Sequence, residues 1–344
     1  MRFRGSLLAI VVVVVGLAIG WHLVSRPVQP STVASLPLAE PSAAAGDSLV
    51  IEPDDGMGRI DDLLGSPRRT LDLTMYELAD PTAESVLAAD AARGVRVRVL
   101  LDGGYERRRN TPAYDYLRGR GVQVFWSSKR YAVTHEKTFV IDGTTAVVMS
   151  LNLTSQYYPT TRDVAVVDPD RRDAAAIEQV FDADIRGSPT GTPAADDLVW
   201  SPGQSAADFM ALIRGAERSI DVESEELSSE PVVAALAAAA RRGVSVRVVM
   251  TYQSDWARNL TRLAAAGARV SVMRGETPLY VHAKLLVVDA GTPHGRAFVG
   301  SENISDASLF HDRELGIVLV RPALVSRLGG LVDKDVADGQ PWPS

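Results

Sequence analysis

Apolar positions come in short runs that alternate with longer, Ala-rich amphipathic stretches. Residues 71–75 form a β run, 82–93 an Ala-rich helical stretch, and 95–101 (VRVRVLL) an alternating strand. A second helix is expected around 112–120, then a strand ending near Trp126 and two further strands. The same series returns at 219–224, 230–242, 244–250, 255–267 and 269–273. Alternating β and α elements with apolar, β-branched strands predict an α/β fold in which helices cover the sheets.

The return is a duplication. SLVIEP at 48–53 aligns with DLVWSP at 197–202, TLDLTMYEL at 70–78 with SIDVESEEL at 219–227, and ARGVRVRVL at 92–100 with RRGVSVRVV at 241–249. All three pairs share an offset of 149 residues, which points to two halves of common descent. The expected organisation is two similar α/β/α layered halves, 48–190 and 191–344, side by side about a pseudo-twofold axis.

Two segments precede the fold. Residues 7–24, LLAIVVVVVGLAIGWHLV, are apolar and flanked by Arg2, Arg4 and Arg26. Eighteen residues span about 27 Å as a helix, enough for a bilayer core. The pattern favours an uncleaved anchor over a cleaved signal peptide, since the apolar region is long and no small-x-small site directly follows it. In either case residues 1–26 direct export, with the body outside the cytoplasm, anchored at the cell membrane or secreted. Residues 27–47, rich in Pro, Ser and Ala, read as a flexible linker.

Composition narrows the functions. The 344 residues contain no Cys, which removes thiolate metal sites and cysteine nucleophiles. Net charge is −7, and beyond residue 26 there are 33 basic against 43 acidic side chains. Such a body is a poor general polyanion binder, so nucleic acid is not an expected partner. The cluster Arg107, Arg108, Arg109 is a local exception and reads as a solvated loop, with contact to anionic head groups as the alternative.

The candidate chemistry lies in THEKTFVID, with His135, Lys137 and Asp142, and in VHAKLLVVD, with His282, Lys284 and Asp289. The chain has five His and four Lys, so about 0.06 H-x-K pairs are expected by chance, and two are present. On a strand, residues i and i+2 share a face, so each His projects with its Lys. Downstream, MSLNLT supplies Ser150 and Asn152, and GSENIS supplies Ser301 and Asn303. The serines are expected to support phosphate binding. Asp142 and Asp289, at an odd spacing from Lys, are expected to face away and pin a turn. His294 and His311 have no Lys partner and read as loop residues. Glu77 and Glu226 follow the first strand of each half and either line the cleft or are solvated.

With its duplicated H-x-K-x4-D motif followed by Ser and Asn, the chain resembles the phospholipase D superfamily over residues 48–322. Met149 departs from the Gly usual before the first Ser. The resemblance implies one active site shared by both halves, a covalent phosphohistidine and no metal or other cofactor. It also implies His135 as nucleophile, His282 as general acid/base, and Asp163 and Glu314 as the acids that orient the rings. The sequence does not say which acid serves which ring. A phosphodiester anion needs positive charge, a nucleophile and a proton donor. Lys137 and Lys284 meet the first need, Asn152 and Asn303 add neutral donors, and the two imidazoles supply the others.

The expected activity is metal-independent hydrolysis of glycerophospholipid head groups to phosphatidic acid, with water or a small alcohol as acceptor and a phospholipid membrane surface as partner. An exported nuclease, a cardiolipin-synthase-like transferase and a non-catalytic lipid-binding protein are the alternatives. Tyr131, Tyr157, Tyr158, Tyr252, Trp256 and Tyr280 fall near the motifs as candidate pocket-lining residues.

Overall fold

A computed structural model describes residues 46–343, apart from residues 192, 194–196 and 276–278. The expected anchor and nearly all of the linker lie outside these residues. Among the described residues no helix is long and apolar enough to cross a membrane.

Seven principal strands build the first half: β1 (Ser48–Glu52), β2 (Thr70–Met75), β3 (Arg96–Leu101), β4 (Gln123–Trp126), β5 (Lys137–Ile141), β6 (Thr145–Met149) and β7 (Thr161–Asp168). Seven more build the second: β8 (Leu198–Ser201), β9 (Ser219–Glu223), β10 (Ser245–Thr251), β11 (Arg269–Met273), β12 (Lys284–Val288), β13 (Arg296–Gly300) and β14 (Glu314–Leu319). The first sheet runs β1-β7-β6-β5-β2-β3-β4 and the second β8-β14-β13-β12-β9-β10-β11, the same order with every number raised by seven. In both, the crossover strands are parallel and the motif strand and its hairpin partner antiparallel. The halves therefore share one topology, as the 149-residue offset predicted.

The helices are α1 (Gly58–Leu64), α2 (Pro81–Ala92), α3 (Arg107–Arg118), α4 (Arg171–Ile185), α5 (Ser205–Gly215), α6 (Glu230–Arg241), α7 (Ala257–Ala265), α8 (Asp306–Phe310) and α9 (Pro322–Asp338). Helix α2 starts where the sequence announces it: Asp80 accepts from Thr82 N at 2.9 Å, with Pro81 in the first turn. Helix α3 begins five residues earlier than expected. Asp102 accepts the Glu106 N–H at 2.8 Å ahead of it, so Arg107–Arg109 form its first turn instead of a loop. The helix expected at 255–267 is a 3-10 turn, Ser254–Trp256, followed by α7.

Three cores result. One packs β2, β3 and α2 around Leu73, Leu87 and Val99, and its counterpart packs Val222, Leu236 and Val248. The third lies between the halves, where Val148, Val166 and Ile177 of the first meet Leu285, Val299, Ile317 and Leu328 of the second. Burying both sheet faces in this way explains why the strands read as near-continuous apolar runs.

Among the described residues, two buried arginine–aspartate pairs cross this interface. Arg162, fully buried on β7, makes a bidentate pair with Asp335 of α9 at 2.6 and 3.0 Å. Its counterpart Arg313 pairs with Asp184 of α4 at 2.8 Å. Each half thus extends an Arg to the final helix of the other.

Candidate active site

Each motif histidine is held by backbone of the opposite half. His135 N and Glu136 N both donate to Arg313 O, at 2.9 and 3.0 Å, and His282 N and Ala283 N to Arg162 O, at 3.1 and 2.8 Å. The residue after each of these arginines is an acid, so this pairing carries the acid to the ring. Glu314 Oε2 lies 2.8 Å from His135 Nδ1, and Asp163 Oδ1 lies 2.7 Å from His282 Nδ1. The question the sequence left open is answered by a swap: each half's acid serves the other half's ring.

The lysines turn back onto the same segments. Lys137 Nζ donates to His135 O at 2.5 Å and Lys284 Nζ to His282 O at 2.6 Å. Both are almost wholly buried. Burial, followed by the charge of Lys284, brings the Lys137 ammonium down to about 7. Burial also holds His135 well below its ordinary value, with Lys137 and Lys284 acting in the same direction and Glu225 opposing them. The charges acting on the His135 ring come from both motifs, so the two motifs lie near one another.

Asn152 and Asn303 are buried, and the Oδ1 atom of each has no hydrogen-bond partner among the described residues. A buried acceptor left open at each of two equivalent positions is suited to an incoming hydrogen-bond donor. Ser150 and Ser301, expected to support phosphate, are fully buried and face elsewhere. Ser150 Oγ donates to Asp163 at 2.6 Å and accepts from Val164 N at 2.9 Å. Ser301 Oγ accepts from Leu315 N at 3.2 Å, next to Glu314. These hydroxyls secure the acid-bearing strands.

Met149 has a packing explanation. Its counterpart Gly300 faces Gly316, and a Cβ at Gly300 would stand 2.4 Å from Gly316 Cα and 2.8 Å from the Phe298 ring. The first half has Met149 facing Ala165, with Val147 where the second has Phe298. A large residue two positions earlier takes the space that Met149 fills in the first half.

Asp142 and Asp289 lie just past β5 and β12 with φ of 54° and 51°. This left-handed conformation is compensated by hydrogen bonding. Asp142 accepts the backbone N–H groups of Arg68, Arg69 and Thr70, and Asp289 those of Glu217, Arg218 and Ser219. These bonds hold both carboxyls below their usual range against the opposing effect of burial. Each Asp fastens the entry to the neighbouring strand about 70 residues away, more than the local turn expected from sequence.

Other candidates separate. Glu77 is buried and pairs with Arg109 at 2.8 Å, so it is not solvated; Glu226 is half-buried. His294 and His311 are exposed, as expected of loop residues. Of the six aromatic candidates, Tyr280 reaches the site, donating to Glu225 at 2.8 Å. Tyr158 instead bonds Asp80, Tyr131 lies beneath Arg313, and Tyr252 lies beneath Arg274.

Two site residues were missed. The Tyr76 ring sits edge-on to His135, with centroids 4.6 Å apart, and 4.8 Å from Lys137 Nζ. Glu225 Oε2 lies 3.0 Å from Lys284 Nζ and 3.5 Å from His282 Nε2. Burial alone would push this carboxyl up, but Lys284, His282 and the Tyr280 hydroxyl hold it well below the usual range. The alignment of TLDLTMYEL with SIDVESEEL already set Tyr76 opposite Glu225.

A family model described as "Cardiolipin synthase, PLD-like domain" matches residues 60–185 and again 209–335. The chain belongs to the phospholipase D-like family. Among curated members, a mitochondrial cardiolipin hydrolase of Xenopus tropicalis is 31% identical over 129 residues, 38% of this chain and 60% of that protein. The match thus spans less than two thirds of that relative's length. A cardiolipin synthase A of Klebsiella pneumoniae is 23% identical over 342 residues, covering 83% of this chain and 68% of that one. Among solved structures, phosphatidylserine synthase of Haemophilus influenzae superposes with a TM-score of 0.67 at 12% identity, over 88% of each chain. That likeness supports the phospholipase D-like fold of both halves.

Proposed function

We propose that this phospholipase D-like enzyme hydrolyses the head-group ester of glycerophospholipids to phosphatidic acid, without a metal, through a phosphohistidine. The observation that carries the reading is the reciprocal pairing of His135 with Glu314 and of His282 with Asp163. A carboxylate at Nδ1 fixes the tautomer with hydrogen on that atom and leaves the Nε2 lone pair free.

The His135 Nε2 lone pair attacks phosphorus, and the bond to the head-group oxygen breaks as His282 Nε2–H gives that oxygen its proton. Neutral His282 then takes a proton from water, whose oxygen attacks phosphorus and breaks the N–P bond. His135 is regenerated and phosphatidic acid leaves. His135, held neutral, suits the attacking role. His282 has a carboxylate at each ring nitrogen, Asp163 at Nδ1 and Glu225 at Nε2, and suits the proton-carrying role. Lys137, Lys284, Asn152 and Asn303 bind the non-bridging oxygens, each charge-assisted bond contributing about 1.5–3 kcal/mol.

A cardiolipin-synthase-like transfer, in which an alcohol replaces water in the second step, is the second reading, favoured by the similarity to cardiolipin synthase A. The proposed setting is a phospholipid membrane surface outside the cytoplasm. Incubating the protein with mixed phospholipids in EDTA, with and without glycerol, and weighing the lipids by mass spectrometry tests both. Phosphatidic acid is the expected product, a new phosphatidyl ester would favour transfer, and no product from any phospholipid would overturn the reading.

A further inference from the structure

Position 225 is where the two halves stop matching chemically. At the 149-residue offset, Tyr76 and Glu225 occupy equivalent places just beyond β2 and β9. Tyr76 gives His135 and Lys137 a neutral ring. Glu225 gives His282 and Lys284 a carboxylate instead, 3.5 Å from His282 Nε2 and 3.0 Å from Lys284 Nζ.

This carboxylate is fixed in place. One oxygen accepts from the Tyr280 hydroxyl at 2.8 Å while the other faces Lys284, and the side chain is 21% exposed. Gln253 in turn donates to the Tyr280 hydroxyl at 3.3 Å. Under the function proposed above, the departing oxygen takes its proton from His282 Nε2. The alcohol therefore passes within a few ångströms of Glu225.

We propose that Glu225 selects the leaving alcohol by charge, favouring one that bears an ammonium group and rejecting one that bears a further phosphate. The inference rests on His282 being the proton donor. A fixed anion in a partly dehydrated cleft attracts a nearby cation and repels a second anion more strongly than it would in water. The Tyr280 ring, whose hydroxyl is bonded to Glu225, adds a surface on which an ammonium group packs well. Lys284 does not cancel the effect, because the phosphodiester being cleaved draws on that same ammonium.

The test compares wild type with Glu225→Gln on three short-chain phosphatidyl esters dissolved as monomers, so that surface charge plays no part. Their head groups are ethanolamine, glycerol and glycerol phosphate. Wild type is expected to rank them in that order by kcat/KM. Glu225→Gln is expected to shrink the ratio of first to last by about tenfold or more. A ratio within one preparation is unaffected by a misfolded fraction, which a purely structural Glu225 would produce. An unchanged ratio in the variant overturns the inference, as does wild type accepting the glycerol phosphate ester as readily as the ethanolamine ester. Hydrolysis without discrimination leaves the proposed function standing, whereas no head-group release from any ester removes both.

Discussion

Glu314 Oε2 lies 2.8 Å from Nδ1 of His135, 179 positions away in the other half. The reverse pair, Asp163 with His282, spans 119 positions at 2.7 Å. Neither half holds the acid that meets Nδ1 of its own motif histidine, so docking of the halves and assembly of the site are one event. Directly before these acids stand Arg162 and Arg313, whose carbonyls fix the histidine backbones and whose guanidinium groups reach the opposite final helix.

Removing the charge of either acid should disable a ring in the other half. Glu314→Gln can present an amide N–H to Nδ1 and so favour the tautomer with hydrogen on Nε2, where the lone pair is needed. A fall in kcat of about 10²–10⁴-fold is expected, with KM changed little. Asp163→Asn should act likewise through His282. Steady-state kinetics on a phospholipid substrate check both, and a variant that raised KM alone would argue against an orienting role.

The division of labour between the rings is open to trapping. An aryl phosphodiester needs little protonation to leave, so the first step can proceed without the acid. His282→Asn should then release about one equivalent of phenol per site in a burst and hold the phosphoryl group on His135. His135→Asn should give neither burst nor adduct. Rapid-quench kinetics with intact-protein mass spectrometry read both, and the reverse pattern would reassign the roles.

Much of this architecture was legible because duplication doubles the signal. Strands 71–75, 95–101, 219–224 and 269–273 stand where the patterns put them, whereas each motif strand begins at its Lys and leaves the His just before it, off the strand on which the pattern placed both. The missed features depend on tertiary contacts. Ser150 and Ser301 look like phosphate ligands from spacing, but the acids on the adjoining β7 and β14 lie nearer than the cleft. The Arg107–Arg109 run reads as loop because Pro112 suggests a helix start, whereas α3 begins at Arg107 and runs through Pro112. Glu225 lay one position from the Glu226 that sequence singled out, and only the fold shows which of the two faces His282.

The Lys137 ammonium, at about 7 in the free protein, sets an alkaline limit. A lysine is charged below its pKa and neutral above it, so raising the pH past about 7 removes a positive charge from the empty site. A bound phosphodiester anion draws the proton back and raises that pKa in the complex. Accordingly kcat/KM should fall above pH 7, by about tenfold per unit at the steepest, while kcat holds to higher pH. Profiles from pH 5 to 10 measure the separation, and a flat kcat/KM up to pH 9 would show that Lys137 stays charged without substrate.

The Arg162–Asp335 pair should behave as a latch between the halves. Both side chains are fully buried. Arg162→Met takes from Asp335 its bidentate partner, leaving only Lys334 at 3.8 Å, beside a Glu223 whose carboxyl burial already pushes well up. Removing one partner of such a pair typically costs about 3–5 kcal/mol, because the remaining charge stays desolvated and unpaired. Adding Asp335→Leu removes that charge and should restore more than half of the loss. The recovery should be incomplete, since Arg162 also donates to Glu52 O at 2.7 Å and Asp54 at 3.0 Å. Urea denaturation of the two variants against wild type measures this. A double variant no more stable than Arg162→Met would mean that the cost comes from the lost bonds to Glu52 and Asp54, and that the bond between the halves contributes little.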